Sequence, residues 1–216
     1  MITVITGLTG AGKTWLMSRL ALKLRKQGEI IYPNLQFYFP NNNEGVMRWH
    51  HLSETYVLTK GIICIDEGQK LFNARRWMFL PSGFADKICS HRHQFIDIIT
   101  TTQDLGHIDV RVRGNIHEVY HCRSIFRFPA NERKQPYFQI ISVLHKKRNF
   151  MNDSTISFVS SSRPSYRFIS RFFTKKLYDT YANIDLSHYI CQIKRDKKKW
   201  QINLLSRKLS SQSSRN

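Results

Sequence analysis

The sequence predicts an α/β protein: a mainly parallel sheet flanked by helices, followed by a small basic β/α extension on the C-terminal side. Three observations carry the prediction. A β-branched run ends at a glycine and is followed at once by an amphipathic stretch, further short apolar runs alternate with helix-like segments, and the pattern changes beyond Pro129.

Ile2–Thr6 is the first strand, and Lys13–Gln27, with Trp15, Leu16, Leu20, Leu22 and Leu24 among basic residues, is a helix closed by Gly28. Glu29–Tyr32 reads as a second strand stopped by Pro33. Asn34–Val46 is a polar, aromatic segment containing PNNNEG, a turn signal, and is expected to be exposed. Ser53 is placed to cap a helix running to about Thr59. Ile62–Ile65 is apolar throughout, as suits a strand buried on both faces, and it ends in Asp66 and Glu67. Ser82–Ser90 looks helical, while Phe95–Thr102 and the HEVYHC of His117–Cys122 are further strands.

Beyond Pro129, YFQIISVLH, ISFVSSS and SYRFISRFF suggest strands or a hairpin, and residues 175 to about 193 read as a helix. A boundary falls between 130 and 150. The resulting division is an α/β domain over 1–130, a β/α extension over 131–191, and a basic, serine-rich tail over 192–216.

The formal net charge of +19 and the sequence pI near 10.1 are far from the balance of a metabolic enzyme. Such a surface attracts polyanions, nucleic acid or anionic lipid, although solubility alone also accounts for it. Residues 151–216 are the denser part, with 13 basic against 4 acidic side chains. Cys64, Cys89, Cys122 and Cys191 have neither CxxC pairing nor metal-like spacing, so they read as reduced intracellular thiols. No basic stretch followed by an apolar run opens the chain, and no run approaches 18 apolar residues, so neither a signal peptide nor a transmembrane helix is expected.

GLTGAGKT, Gly7–Thr14, matches G-x-x-x-x-G-K-[ST] completely and lies between a strand and a helix, as a P-loop should. Backbone N–H groups of Gly7, Leu8, Thr9, Gly10, Ala11, Gly12, Lys13, Thr14 and Trp15 are therefore candidates to hold ATP phosphates, with the positive end of the helix behind them. Lys13 would reach the β- and γ-phosphates, and the Thr14 hydroxyl would ligate Mg2+. Asp66, at the end of a buried strand, is the second candidate for the metal, and Glu67 for the base that deprotonates water. Without the glycine loop, Asp66 and Glu67 would read as the start of a solvated turn. Gln103 ends the strand TTTQ, where its amide could sense the γ-phosphate or position water. His91 and His93 have no third ligand at metal spacing and read as structural or interface residues.

GLTGAGKT, IDEGQKLF, SHRHQFIDIITTTQ and the HIDVRVR after it occur in an order and spacing that resemble the zonular occludens toxin (Zot) type ATPases. These are assembly proteins of filamentous phages, related to the FtsK/HerA class of DNA pumps. The similarity spans about residues 1–125, and HRH followed by DI and TQ is its most specific part. Tyr178, Asp179 and Thr180 resemble a short motif found later in that family.

The resemblance implies a P-loop NTPase in the host cytoplasm at the inner membrane, driving extrusion and coating of single-stranded DNA. It implies a homo-oligomer in which Arg92, or Arg111 and Arg113, serves a neighbouring subunit's nucleotide from the sheet edge around Gln103. Surface charge is the plain alternative for each arginine. Typical relatives carry a membrane-spanning helix after the ATPase domain. No such run is seen here, so the basic last third suits peripheral association with DNA, anionic lipid or a membrane-embedded partner. The rival readings are a nucleotide-gated DNA-binding or scaffold protein and, less well matched, a small-molecule kinase.

KRDKKK and SSQSSRN offer little to bury. Deleting residues 192–216 is expected to leave the melting temperature within a few degrees while weakening retention on nucleic acid or anionic vesicles. A collapse of the melting temperature would mean that Trp200, Leu204 and Leu205 dock on the core.

Overall fold

β1 (Ile2–Thr6), β2 (Ile31–Pro33), β3 (Gly61–Ile65), β4 (Ile96–Thr102) and β5 (Glu118–Phe128) pair in parallel, in the spatial order β2-β3-β4-β1-β5. The computed structural model describes residues 1–37, 39, 44–73, 82–90, 95–128, 137–149, 157–160 and 163–170. The predicted helix over 175–193, the Tyr178–Thr180 motif, Arg92 with His91 and His93, and the 192–216 tail lie outside them.

Every residue of β1 and β3 is buried, which explains why both read as continuous apolar runs. The helix α1 (Lys13–Lys26) lays Trp15, Leu16, Met17, Ala21 and Leu22 into one core cluster with Ile5, Ile62, Cys64 and Ile99. On the sheet's other face Val4, Ile63, Ile65 and Ile98 are equally buried, as are Phe84 and Ile88 of α2 (Ser82–Ser90), so neither face is left to solvent. β2 does not stop before Pro33 but takes it in as its last residue. Because β2 is an edge strand, the missing N–H costs no ladder bond on the open side.

Two local expectations are corrected. Within the Asn34–Val46 segment, expected to be exposed, Asn34, Leu35, Phe37 and Phe39 are buried and the last three join the α1 core, while Gln36, Glu44 and Gly45 are exposed. Leu35, Phe37 and Phe39 face inward while Gln36 is exposed, a period of two that compensates for the short edge strand β2. Ser53 does not cap a helix either. Residues Leu52–Val57 form a 3-10 turn with His51 at its N-cap, and the Glu54 carboxylate accepts the N–H groups of His50 and His51 at 3.2 and 3.0 Å.

The sheet does not stop at β5. β6 (Phe138–Asn149) pairs antiparallel with β5, and both β7 (Ser157–Ser160) and β8 (Ser165–Ser170) pair antiparallel with β6. β1 has its last partner on β5 at His121, so Cys122–Phe128 run on beyond the end of the parallel strands. At about 3.3 Å per residue that is an overhang of about 20 Å. Among the described residues no helix is long and apolar enough to cross a membrane.

Met17 is fully buried in the α1 core. Met17→Ala is expected to lower unfolding stability by about 2–5 kcal/mol, read from the urea midpoint.

Candidate nucleotide site

All five parallel strands point the same way, so Gly7, Asp66 and Gln103 emerge at one edge of the sheet. β4 lies between β1 and β3, which puts its end, Thr101–Gln103, between the glycine loop and the acidic turn. Gly7 follows β1 with φ 143°, and a Cβ there would run into the Cys122 carbonyl oxygen on β5, so this position requires glycine. Its N–H donates to the Gln103 carbonyl at 3.2 Å. Leu8 and Thr9 are exposed, and Ala11 is buried. Gly12 is the N-cap of α1. Lys13 and Thr14 form the first turn, and the Trp15 ring is packed into the core beneath Arg19, leaving only its backbone toward the loop.

Asp66 is the centre of the site. Its N–H donates to Asn34 Oδ1 at 2.9 Å and its carbonyl accepts from Asn34 Nδ2 at 3.2 Å, so the residue after β2 clamps the backbone. Its carboxylate accepts the Thr14 hydroxyl at 3.2 Å and the Thr101 hydroxyl at 2.5 Å. Burial pushes the Asp66 carboxyl above its ordinary pKa; the two hydroxyls and Lys13 act the other way. The same burial lowers the Lys13 ammonium, with Asp66 opposing it. Lys13 Nζ donates to the Leu8 carbonyl at 3.0 Å, across the mouth of its own loop.

Glu67 adopts a left-handed backbone at φ 55°, unusual for a glutamate, and its N–H donates to Thr101 Oγ1 at 2.9 Å. Its half-exposed carboxylate pairs with Lys70. Gln103 is exposed, with its amide nitrogen 3.4 Å from Thr9 Oγ1 on the loop.

Five residues of the site carry no signal that the sequence reading used. Asn34 and Thr101 hold Asp66, as above. From the overhanging hairpin, Gln139 Nε2 donates to the Gly10 carbonyl at 2.5 Å, and Arg127 lies over Gly10, where a Cβ would come within 2.6 Å of Nη1. Ile141 packs against Gly12 in the same way. The available signals were weak: a threonine run at a strand end, and an alternating strand that continues past HEVYHC.

Arg111 and Arg113 are not gathered around Gln103. They sit on α3 (Val110–Arg113), which leads away from that edge: Gly114 accepts a hydrogen bond from Arg148, whose N–H donates to the His117 carbonyl beside Ile2. The reason is topological, because β4 must cross to the start of β5 at the opposite end of the sheet.

A loop of this geometry fits a phosphate chain, and the hydroxyl of Thr14 beside a desolvated Asp66 carboxylate fits Mg2+, a hard ion that keeps several waters and takes few protein ligands. Strand, glycine loop and helix with an acid one strand removed define a P-loop NTPase fold. The chain belongs to the zonular occludens toxin (Zot) family, whose sequence model matches residues 1–149. The match runs past the 125 residues of the resemblance to the end of β6, so the hairpin is part of the family unit.

No curated protein sequence matches significantly. Similar solved structures include the N-terminal domain of zonular occludens toxin from Neisseria meningitidis, at 21% identity and TM-score 0.46, covering 74% of this chain and 93% of that one. The genome packaging NTPase B204 of Sulfolobus turreted icosahedral virus 2, in complex with ATP-gammaS, gives 14% identity, TM-score 0.45 and coverage of 73% and 95%. The flagellar accessory protein FlaH of Methanocaldococcus jannaschii gives 11%, 0.44 and coverage of 74% and 89%. At such scores nothing about binding or activity transfers from them.

Because burial raises the folded-state pKa of Asp66, the protonated form favours folding. That contribution is complete below the ordinary value of 3.8 and is lost as pH rises toward the folded value. Asp66→Asn is expected to flatten the fall in stability of the ligand-free protein above pH 3.8, read from thermal melts across a pH series. An unchanged pH profile would place the titration elsewhere.

Proposed function

We propose that this chain binds MgATP at Gly7–Trp15 and hydrolyses it during phage morphogenesis, as part of an oligomer that drives DNA extrusion or packaging. The observation that carries the reading is the Thr14–Asp66 hydrogen bond, which brings the phosphate loop and the acidic turn to one point. Lys13 leaves the Leu8 carbonyl to neutralise phosphate charge, and the loop N–H groups orient the chain for attack. Thr14 and Asp66 would hold Mg2+, which when bound supplies neutralisation of charge on the phosphate oxygens. Glu67 takes the proton of the attacking water, Gln103 positions that water, and Arg127 adds a second cation in cis beside Gly10.

The pairing of Glu67 with Lys70 favours a second reading, a nucleotide-gated scaffold without sustained turnover, because the carboxylate must leave Lys70 to act on water. Polyanion binding follows from the net charge of +19, and attachment at an anionic membrane surface would use the same charge.

Lys13→Ala is expected to lose ATP binding, whereas Glu67→Gln keeps ATP affinity and loses turnover by about a hundredfold or more. Equilibrium binding of a fluorescent ATP analogue and single-turnover phosphate release separate the two. Equal loss of affinity in both variants contradicts the division of roles, and a wild-type protein that binds ATP without turnover supports the scaffold.

A further inference from the structure

The hairpin that overhangs the nucleotide site has two faces. Register puts Gln139, Ile141, Val143, Arg127 and Ile169 on the face turned to the phosphate loop and α1. On the opposite face Phe126, Ile140 and Phe168 are direct neighbours across three strands. Phe128 lies beside Phe138, and Arg123, Ser142 and Tyr166 form the next row. A register shift between Ser124 and Phe126 turns the phenylalanines of β5 outward. Phe138 and Phe168 stack at 6.1 Å. Phe126, Phe128, Phe168 and Tyr166 are nevertheless 52, 54, 57 and 66% exposed, a contiguous apolar patch on the sheet.

We infer that this face is a binding platform for single-stranded nucleic acid, with Phe126, Phe128, Tyr166 and Phe168 as stacking surfaces and Arg123 as a phosphate contact. Charge decides among occupants. On the platform face Arg123 is exposed in the row of Tyr166, and the described residues from 118 to 170 hold seven Lys and Arg against one acid, Glu118, which pairs with His145 and Lys147 at the far end of the hairpin, so this part of the sheet complements a polyanion. A second copy of the chain would bring like charges together, against the charge complementarity that stable protein interfaces show. Flat aromatic faces interleaved with arginine on an open antiparallel sheet accept unstacked bases of any sequence, which a paired duplex does not offer. The platform backs directly onto the strands that touch Gly10 and Gly12, so strand binding and nucleotide binding share β5, β6 and β8.

The inference rests on the nucleic-acid half of the proposed function and not on hydrolysis, so the test keeps them apart. Fluorescence anisotropy of a labelled oligothymidylate of about twenty nucleotides, titrated with full-length protein, is expected to show binding that weakens with salt. Tyr166→Ala and Phe168→Ala should each weaken it roughly fivefold to a hundredfold, with Phe168→Tyr restoring most of the loss. Arg123→Ala should reduce the salt slope by about one. Lys13→Ala should bind the oligonucleotide as wild type does, and ATP binding should survive Tyr166→Ala, whose exposed side chain can be cut back without loss of melting temperature. The inference is overturned if wild type ignores the oligonucleotide, or if the aromatic variants bind it unchanged. It is equally overturned if they lose binding to phosphatidylglycerol vesicles, or lose self-association in sedimentation, while oligonucleotide binding persists.

Discussion

The buried carboxylate of Asp66 is the constraint on which the site depends. Burial disfavours its charge, and the protein offsets that cost with two hydroxyl donors from different elements, Thr14 at the start of α1 and Thr101 at the end of β4. Asn34, from the segment after β2, fixes its backbone on both sides. Four parts of the chain that are far apart in sequence therefore meet at one residue. Their meeting sets the distance between the phosphate loop and the acidic turn.

The strand order makes that meeting possible. Had β1 and β3 been neighbours, the loop and the acid would have been adjacent with no third element between them. With β4 inserted, Thr101 can serve Asp66 and Glu67 together, and Gln103 can reach back to Thr9. The left-handed backbone of Glu67 is held by that same threonine, an instance of local strain maintained by a surrounding hydrogen bond.

Antiparallel pairing beyond β5 gives the sheet a second role. A parallel strand must end where its crossover begins, whereas the β5–β6 hairpin is free to run on over the edge. One face of that overhang closes on the glycine loop through Gln139, Arg127 and Ile141 and packs into the same core as α1. The other face carries aromatic and basic residues outward. The two faces are the two sides of the same few strands.

Sequence alone determined the phosphate loop, the acidic turn and the parallel α/β core, because each is written in contiguous residues: GLTGAGKT between strand and helix, IICIDE, and apolar runs of strand length. It also carried the family resemblance, since motif order needs no coordinates. What tertiary structure decided were relations between distant residues. Phe37 looked exposed because its neighbours are polar, but an alternating segment beside a three-residue edge strand buries one side. Arg111 and Arg113 looked close to Gln103 because they follow it by only eight and ten residues, but the crossover to β5 carries them toward the other end of the sheet. Arg127 and Gln139 carried no motif at all. Their place at Gly10 follows from the register of an antiparallel pair, and register is set by the whole ladder and not by any residue in it.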